Sequence, residues 1–193
     1  MNLIESFGYQ NNSIMSRKII LDKLKIEIIL HRLALEMIEN YQNFDNTVII
    51  GLQPRGIILA KRLWIKLKSI TQNDAILFGQ LDSTFYRDDF RRGSKPLLPN
   101  AMLLDFIVEN KNVILVDDVL YTGRSVRSAL NALNDFGRPK KTELLVLIDR
   151  KYKRELPIEP NYVGHEVDTR SNDKVEVNWS DDGGEDEVWI ITK

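Results

Sequence analysis

Short apolar runs that alternate with helix-like segments constrain the fold of this chain more than any other feature. The runs cover residues 47–50, 75–81, 112–116 and 143–148, and each has the length and apolar content of a buried strand. Helix-like segments at 57–68 and 124–136 follow the first and third runs. Because strands that alternate with helices form βαβ units, we expect an α/β fold with a mainly parallel sheet and helices on both faces.

The two ends of the chain carry weaker signals. A short strand is expected at 18–21, followed by a helix that starts at the N-cap Asp22 and ends near Asn40. The apolar residues of this helix that recur at helical spacing are Leu24, Ile28, Leu35 and Ile38. Near the other end, residues 175–177 and 188–191 are typical of antiparallel strands.

The domain organisation follows from where these patterns stop. Residues 1–16 show no periodicity and are expected to form a flexible leader, with Met15 as an alternative start to Met1. Residues 17–193 then form a single domain. The polar span 83–105, rich in Arg, Asp and Pro, is expected to be a flexible active-site loop, with a disordered surface loop as the alternative.

Composition excludes several classes of protein. The 193 residues are 43% hydrophobic and contain no cysteine, which excludes disulfides, cysteine zinc sites and a cysteine nucleophile. Neither a run of about 20 apolar residues nor a signal peptide is present. We therefore expect a globular protein of the cytoplasm with no membrane partner.

The net charge of −1 conceals an uneven distribution. Residues 173–193 contain seven acidic and two basic residues, a net charge of −5. The remaining chain has 25 basic and 21 acidic residues, a net charge of +4. A solvated acidic C-terminal hairpin explains this asymmetry, which by itself points only weakly to an anionic ligand.

The chemistry is concentrated in residues 113–125, which read VILVDDVLYTGRS. Asp117 and Asp118 follow a buried strand, and Thr122, Gly123 and Ser125 form a turn that opens a helix. Ligands bind at this edge of an open α/β sheet. Amide groups and hydroxyls at a helix N-terminus suit a phosphate, and the carboxylates suit sugar hydroxyls or a Mg²⁺ ion carried by a polyphosphate. The alternative is an acidic strand end before an ordinary capped helix.

This stretch resembles the binding motif for phosphoribosyl pyrophosphate (PRPP) in type I phosphoribosyltransferases. Together with Phe-Gly-Arg-Pro at 136–139, Leu-Ile-Asp-Arg at 147–150, Arg-Glu-Leu-Pro-Ile at 154–158 and Asn-Tyr-Val-Gly at 161–164, it resembles the PyrR family of pyrimidine-operon regulators with uracil phosphoribosyltransferase activity. The resemblance implies the type I phosphoribosyltransferase fold, with a mainly parallel central sheet flanked by helices. Residues 157–193 and the N-terminal strand would supply a small hood and the terminal strands.

The resemblance also implies roles for individual residues. Asp117 and Asp118 would contact the ribose hydroxyls and position the sugar, with Mg²⁺ carried by PRPP. Arg87 would screen the charge of the pyrophosphate from a flexible loop that includes Tyr86, Asp88 and Asp89. The loop for the 5′-phosphate would consist of Thr122, Gly123, Arg124, Ser125 and Val126. The pyrophosphate loop would contain Gln53, Pro54, Arg55 and Gly56, and the hood over the base would contain Tyr162, Val163 and Gly164.

One position departs from the family pattern. The pyrophosphate loop of the family usually begins with a basic residue and Thr, where this chain has Gln53 and Pro54. Gln53 removes a cation near the leaving group. Pro54 removes a backbone donor but eases a cis peptide bond, a geometry that type I enzymes often need in this loop.

The resemblance implies conversion of uracil and PRPP to UMP and pyrophosphate, and association into a homo-oligomer, a dimer or larger. One alternative is an RNA-binding attenuator that senses UMP and binds pyrimidine-operon mRNA, with weak or no catalysis. The candidate RNA-binding bases are Arg17, Lys18, Arg138, Lys140, Lys141, Arg150, Lys151, Lys153 and Arg154. A phosphoribosyltransferase for another nucleobase is the second alternative.

Overall fold

The computed structural model describes residues 16–83, 104–169 and 173–192. Three α-helices are present in these ranges: α1 (Lys23–Tyr41), α2 (Gly56–Thr71) and α3 (Arg124–Leu133). The larger sheet contains β2 (Thr47–Leu52), β3 (Leu77–Leu81), β4 (Asn112–Leu120), β5 (Lys141–Lys151) and β6 (Tyr162–Asp168). The smaller sheet contains β1 (Ser16–Leu21), β7 (Lys174–Asn178) and β8 (Glu187–Thr192). Short 3-10 helices follow at Asn134–Phe136 and Ser180–Asp182.

All strands of the larger sheet run parallel, in the order β3-β2-β4-β5-β6. The smaller sheet is antiparallel, in the order β1-β8-β7. The α/β fold expected from the alternating apolar runs is therefore confirmed. Ser16, assigned to the leader from sequence, is the first residue of β1 and pairs with Thr192.

Helices cover both faces of the parallel sheet. Alternate strand residues such as Ile49 and Ile114 pack with α1 and α2, whereas Val48 and Leu115 on the opposite face pack with α3. Because successive side chains of a strand point to opposite faces, a strand covered on both sides is apolar throughout. This explains why the runs in β2 and β4 are continuous rather than alternating. Within the described ranges, no helix is both long enough and apolar enough to cross a bilayer.

The apolar face assigned to α1 from its spacing is wrong in part. Leu24, Ile28 and Leu35 are exposed, and Ile38 is partly buried. The residues that α1 buries are Ile26, Ile29, Leu30, Leu33, Ala34 and Met37. This helix carries two apolar stripes, and helical periodicity alone does not say which of them meets the sheet.

Part of the segment 157–193, which was assigned to the hood and terminal strands, lies in the central sheet. Tyr162–Asp168 is β6, a strand at the edge of the central parallel sheet. Its exposed His165 and Glu166 interrupt the apolar pattern, as expected for a strand with a solvated side. The smaller sheet does not include β6. It consists of the two strands that follow β6 in the chain, β7 and β8, and the N-terminal strand β1.

Candidate active site

Two loops at the same edge of the parallel sheet form the candidate site. One loop follows β2 and the other follows β4, and these strands are neighbours in parallel register. Each loop borders a cleft, of about 210 Å³ beside the β2 loop and about 230 Å³ beside the β4 loop. The two clefts share Asp117, Val119 and Ser125. The structure therefore presents two adjoining recesses where ligands bind in open α/β sheets.

The recess after β4 has the features of an anion site. Gly123 has φ of +88°, a left-handed conformation that favours glycine, and it is the N-cap of α3. The N-cap Gly123 has no side chain to accept from the first turn, and Thr122 Oγ1 accepts from the Arg124 N–H at 3.4 Å. The positive end of the helix dipole lies at the recess. Thr122, Arg124, Ser125 and Val126 line the same recess. The five residues assigned to the 5′-phosphate loop therefore lie together at a helix N-terminus, which is an arrangement that can bind anions.

A neighbouring segment braces this loop. The backbone N–H of Glu155 donates to the carbonyl of Thr122 at 3.1 Å, and the Glu155 carboxylate accepts from Nε of Arg124 at 2.7 Å. Arg154 donates to the carbonyl of Tyr121 at 2.6 Å and is paired with the buried carboxylate of Asp149. The sequence indicated Arg154 only as a candidate RNA contact and gave no role to Glu155. The structure shows that both hold the loop after β4 in place.

Asp118 is buried at the carboxyl end of β4. Among the residues that the structure describes, no group donates a hydrogen bond to its Oδ2, and the nearest cation is Nη1 of Arg55 at 3.9 Å. Burial raises the pKa of Asp118, and Arg55 and backbone N–H groups only partly oppose this effect. Asp117 accepts a hydrogen bond from the Asp118 N–H at 3.0 Å. The pair therefore offers one carboxylate oxygen that still lacks a hydrogen-bond donor.

The loop after β2 lies against the same strand end. The Gln53–Pro54 peptide bond is cis, and the Gln53 N–H donates to the carbonyl of Leu81 at 3.0 Å. Gly56 begins α2 so close to β4 that an added Cβ would lie 2.3 Å from the carbonyl oxygen of Val116. Glycine is required at this position because the β4 backbone occupies the space. Gln53, Pro54, Arg55 and Ser83 line the recess with the aspartates.

The residues assigned to the base-binding hood lie in the edge strand of the central sheet. Tyr162, Val163 and Gly164 begin β6, and Val163 is level with Asp117 of β4 through Val146 of β5. The Tyr162 ring is buried, and its hydroxyl donates to Glu143 at 3.2 Å and accepts from Asn40 at 3.0 Å. An added Cβ at Gly164 would lie 2.5 Å from the carbonyl oxygen of Leu147. Tyr162 and Gly164 serve the packing of the sheet, whereas Val163 borders a cleft of about 440 Å³ together with Asp149 and Arg154. The assignment of these three residues to the base stays a prediction.

Glu176 on β7, in the smaller sheet, carries a charge that interacts with Arg55 in the loop after β2. A hydrogen bond from Lys174 lowers the pKa of its carboxyl, and the charges of Lys174, Arg17 and Arg55 act in the same direction. The Arg17 guanidinium lies 3.5 Å from it. The alternation of Val175, Glu176 and Val177 indicates that the carboxylate faces away from the buried valines. Nothing in the sequence indicated that its charge interacts with that of Arg55.

Some of the predicted site residues lie outside the described residues. Tyr86, Arg87, Asp88 and Asp89 lie outside the described residues, as does most of the loop 83–105.

Across the three described ranges, no group of three or more His, Asp or Glu side chains is arranged to hold a metal. The carboxylates that line the recess beside the β2 loop are Asp117 and Asp118. This number suits a Mg²⁺ ion that arrives with a polyphosphate.

Several of the basic residues that were candidates for RNA binding are engaged within the fold. Arg150 is buried, with its guanidinium 3.9 Å from the centre of the Tyr121 ring. Lys141 pairs with Glu143, and Lys151 pairs with Glu166. These two lysines are the first and last residues of β5, roughly 33 Å apart at the rise of an extended strand. Several of the candidate cations are therefore engaged within the fold or separated by the length of the sheet.

Comparison with known proteins identifies the family of this chain. The phosphoribosyl transferase domain model matches residues 16–182. "Bifunctional protein PyrR" of Elusimicrobium minutum is 42% identical over 177 residues, covering 91% of this chain and 97% of the relative. The protein of the same name from Desulfosudis oleivorans is 46% identical over 174 residues, covering 90% and 95%.

Solved structures support the fold. The hypoxanthine phosphoribosyltransferase of Trypanosoma cruzi aligns with a TM-score of 0.68 at 15% identity, covering 90% of this chain and 95% of that one. The Staphylococcus aureus enzyme of the same name aligns with a TM-score of 0.62 at 20% identity, covering 79% of each chain. At these identities the similarity concerns the fold alone, which is the expected type I fold. The match of the domain model and the high coverage of the PyrR relatives show that this chain belongs to the PyrR family of phosphoribosyltransferases.

Proposed function

We propose that this protein transfers the phosphoribosyl group of PRPP to uracil, giving UMP and pyrophosphate. The observation that carries the proposal is the pair of adjoining recesses that share Asp117 and Ser125. PRPP has a phosphate at each end of a ribose, so it needs two anion-binding recesses with sugar-binding groups between them. The Asp117–Asp118 pair lies at that junction.

In this proposal, the chain supplies position and charge rather than a covalent intermediate. The bond from the anomeric carbon to pyrophosphate breaks, a bond to a ring nitrogen of uracil forms, and that nitrogen loses its proton. Positive charge develops on the ribose, which the aspartates favour, while Arg55 faces the charge of the leaving group. The first-turn amides of α3 hold the 5′-phosphate and fix the orientation of the sugar.

Mg²⁺ is the expected cofactor. Asp117 and the unpartnered Oδ2 of Asp118 fit a hard cation that keeps most of its ligands from substrate and water. When bound, the ion neutralises charge on the departing pyrophosphate.

The base is the finer part of the proposal, and it rests on the resemblance to the PyrR family. Its test is the release of pyrophosphate from PRPP and Mg²⁺ with uracil, orotate, hypoxanthine and guanine offered in turn. We expect release with uracil and loss of release in Thr122→Ala. Faster release with hypoxanthine or guanine would replace uracil by a purine, and no release with any of the four bases would overturn the proposed transfer.

A second candidate function is UMP-dependent binding of pyrimidine-operon mRNA. The observation that favours it is the name of the relatives, "Bifunctional protein PyrR". A gel-shift assay with a pyrimidine leader RNA, with and without UMP at two salt concentrations, tests it, because phosphate contacts weaken with salt. Binding that UMP strengthens supports this function, and absence of binding in all four conditions excludes it.

A further inference from the structure

A buried serine forms part of the recess beside the β2 loop, on the side of β3. Ser83 lies two residues beyond the end of β3 and is only 7% exposed. It lines the recess together with Arg55 and the two aspartates. Burying a hydroxyl is costly unless the hydroxyl forms a hydrogen bond. A buried serine in the wall of a ligand recess is therefore a candidate contact for the ligand.

The first two residues of the loop after β2 offer no backbone donor to an anion. The Gln53 N–H already donates to the Leu81 carbonyl at 3.0 Å, and Pro54 has no N–H. Among the described residues that line the recess, Arg55 is the only basic one, against two acidic side chains. Pyrophosphate carries several ionised oxygens, each of which is stabilised by hydrogen-bond donors. A recess that accepts pyrophosphate beside two carboxylates therefore needs donors in addition to Arg55.

The pairing of β2 with β3 brings a donor to the level where the loop lacks one. The two strands are parallel neighbours, and Leu52 is level with Leu81. Pro54 and Ser83 each follow two residues later, and both line the recess. The Ser83 hydroxyl therefore belongs to the part of the sheet edge where Pro54 has no N–H to offer.

We propose that the Ser83 hydroxyl donates a hydrogen bond to the pyrophosphate group of PRPP. The inference rests on the proposed transfer from PRPP and adds a contact to one end of that substrate. Ser83 is not among the described residues that line the recess after β4, so binding of the 5′-phosphate should not depend on it. A hydrogen bond to an ionised oxygen is stronger than a neutral one, and its loss should weaken pyrophosphate binding about tenfold or more.

Calorimetry of the full chain with two probes tests the contact. One probe is pyrophosphate with Mg²⁺, and the other is ribose 5-phosphate, which has the 5′-phosphate but no pyrophosphate. Ser83→Ala removes the hydroxyl and adds no bulk. We expect it to bind Mg²⁺-pyrophosphate about tenfold more weakly or worse and ribose 5-phosphate as the wild type does. Ser69→Ala, at an exposed position of α2, is the matched control and should bind both probes normally.

Two results overturn the role of Ser83 while the proposed transfer stands. One is wild-type affinity of Ser83→Ala for Mg²⁺-pyrophosphate. The other is an equal loss of affinity for ribose 5-phosphate, because that loss would reflect a change of the whole site. Failure of the proposed transfer looks different: the wild-type chain itself then binds neither PRPP nor Mg²⁺-pyrophosphate, and the role of Ser83 is overturned with it.

Discussion

Arg55 places its Nη1 3.9 Å from the buried Oδ2 of Asp118, and this contact joins the loop after β2 to the carboxyl end of β4. Arg55 does not hydrogen-bond this oxygen, and burial raises the pKa of Asp118 despite the nearby cation. The folded protein therefore keeps a desolvated carboxylate whose ionised form is destabilised. A ligand that donates to Oδ2, such as a ribose hydroxyl, would relieve this cost.

We expect Asp118→Asn to lower kcat/KM for PRPP about 100-fold, the usual scale for one preorganised polar group. The same variant should melt at a higher temperature at pH 7, because it removes a carboxylate that is unfavourable when ionised. Because the pKa of Asp118 is raised in the folded protein, its ionised carboxylate destabilises the fold above the folded-state pKa. Below the ordinary pKa of about 3.9 the carboxyl is protonated in both the folded and the unfolded state, so this contribution is absent. The gain should therefore vanish below about pH 4. Asp168→Asn, on the exposed end of β6, is the control and should keep the wild-type melting temperature. If Asp118→Asn also melts at the wild-type temperature at pH 7, the burial argument is contradicted.

Gly56→Ala tests the close approach of the two loops. The added Cβ would meet the Val116 carbonyl oxygen at 2.3 Å and the Asp117 Cα at 2.9 Å, so the loop must move away from β4. We expect a loss of about 1–3 kcal/mol in the free energy of unfolding and a higher KM for PRPP. Gly184→Ala is the control, since its nearest contact would be 3.7 Å from the Trp179 carbonyl oxygen. Equal effects of the two substitutions would show that the approach at Gly56 has no special role.

Glu155→Gln tests the brace of the phosphate loop. The pair with Arg124 is about half exposed on both sides, so its loss should cost at most about 1 kcal/mol of stability. We expect KM for PRPP to rise severalfold while the melting temperature hardly changes, because the loop loses its orientation. Glu159→Gln, an exposed neighbour, should leave KM unchanged. A KM that does not move in Glu155→Gln removes the positioning role.

The acidic C-terminal segment is partly neutralised by one arginine. Arg62 on α2 donates to the buried carboxylate of Asp186 at 2.7 Å and also pairs with Asp181. Burial alone would raise the pKa of Asp186, but hydrogen bonds from Arg62 and from the Ser180 N–H lower it below the ordinary value.

We expect Asp186→Asn to reduce the free energy of unfolding by about 3 kcal/mol at pH 7, since it leaves Arg62 with a weakened partner. Because the folded-state pKa is depressed, this stabilisation is present above about pH 4 and is lost as the pH falls through the folded-state pKa. Urea unfolding at pH 7 and pH 3 measures it, and the difference between wild type and variant should shrink at pH 3. Asp182→Asn, exposed in the same turn, is the control. A difference that persists at pH 3 would contradict the ionic contribution.

Tyr162→Phe distinguishes a packing residue from a base contact. The variant loses the hydrogen bond from Tyr162 to Glu143 and leaves Asn40 without its acceptor. We expect the unfolding free energy to fall by about 1 kcal/mol, with KM for the nucleobase unchanged. Tyr152→Phe, on an 82% exposed ring, should change neither quantity. A selective rise in KM for the nucleobase would support a contact between Tyr162 and the base.

The fold and half of the site were predictable from local patterns. Continuous apolar runs determine β2 and β4, because a strand covered on both faces must be apolar throughout. The order strand, Asp-Asp, Thr-Gly-x-Ser, helix predicted that Asp117, Asp118 and the phosphate loop lie at one sheet edge. That order is local, so no knowledge of the tertiary structure was needed.

What the tertiary structure decided are the relations between distant segments. Arg154 and Glu155 brace a loop some 30 residues earlier in the chain, the charge of Glu176 interacts with that of Arg55, and the Tyr162 hydroxyl bonds Glu143 and Asn40. The outward stripe of α1 and its buried stripe are both apolar, so only packing against the sheet decided which one faces solvent. Periodicity and spacing report the local backbone, whereas burial and charge pairing depend on which segments meet, and that is set by the packing of the whole fold.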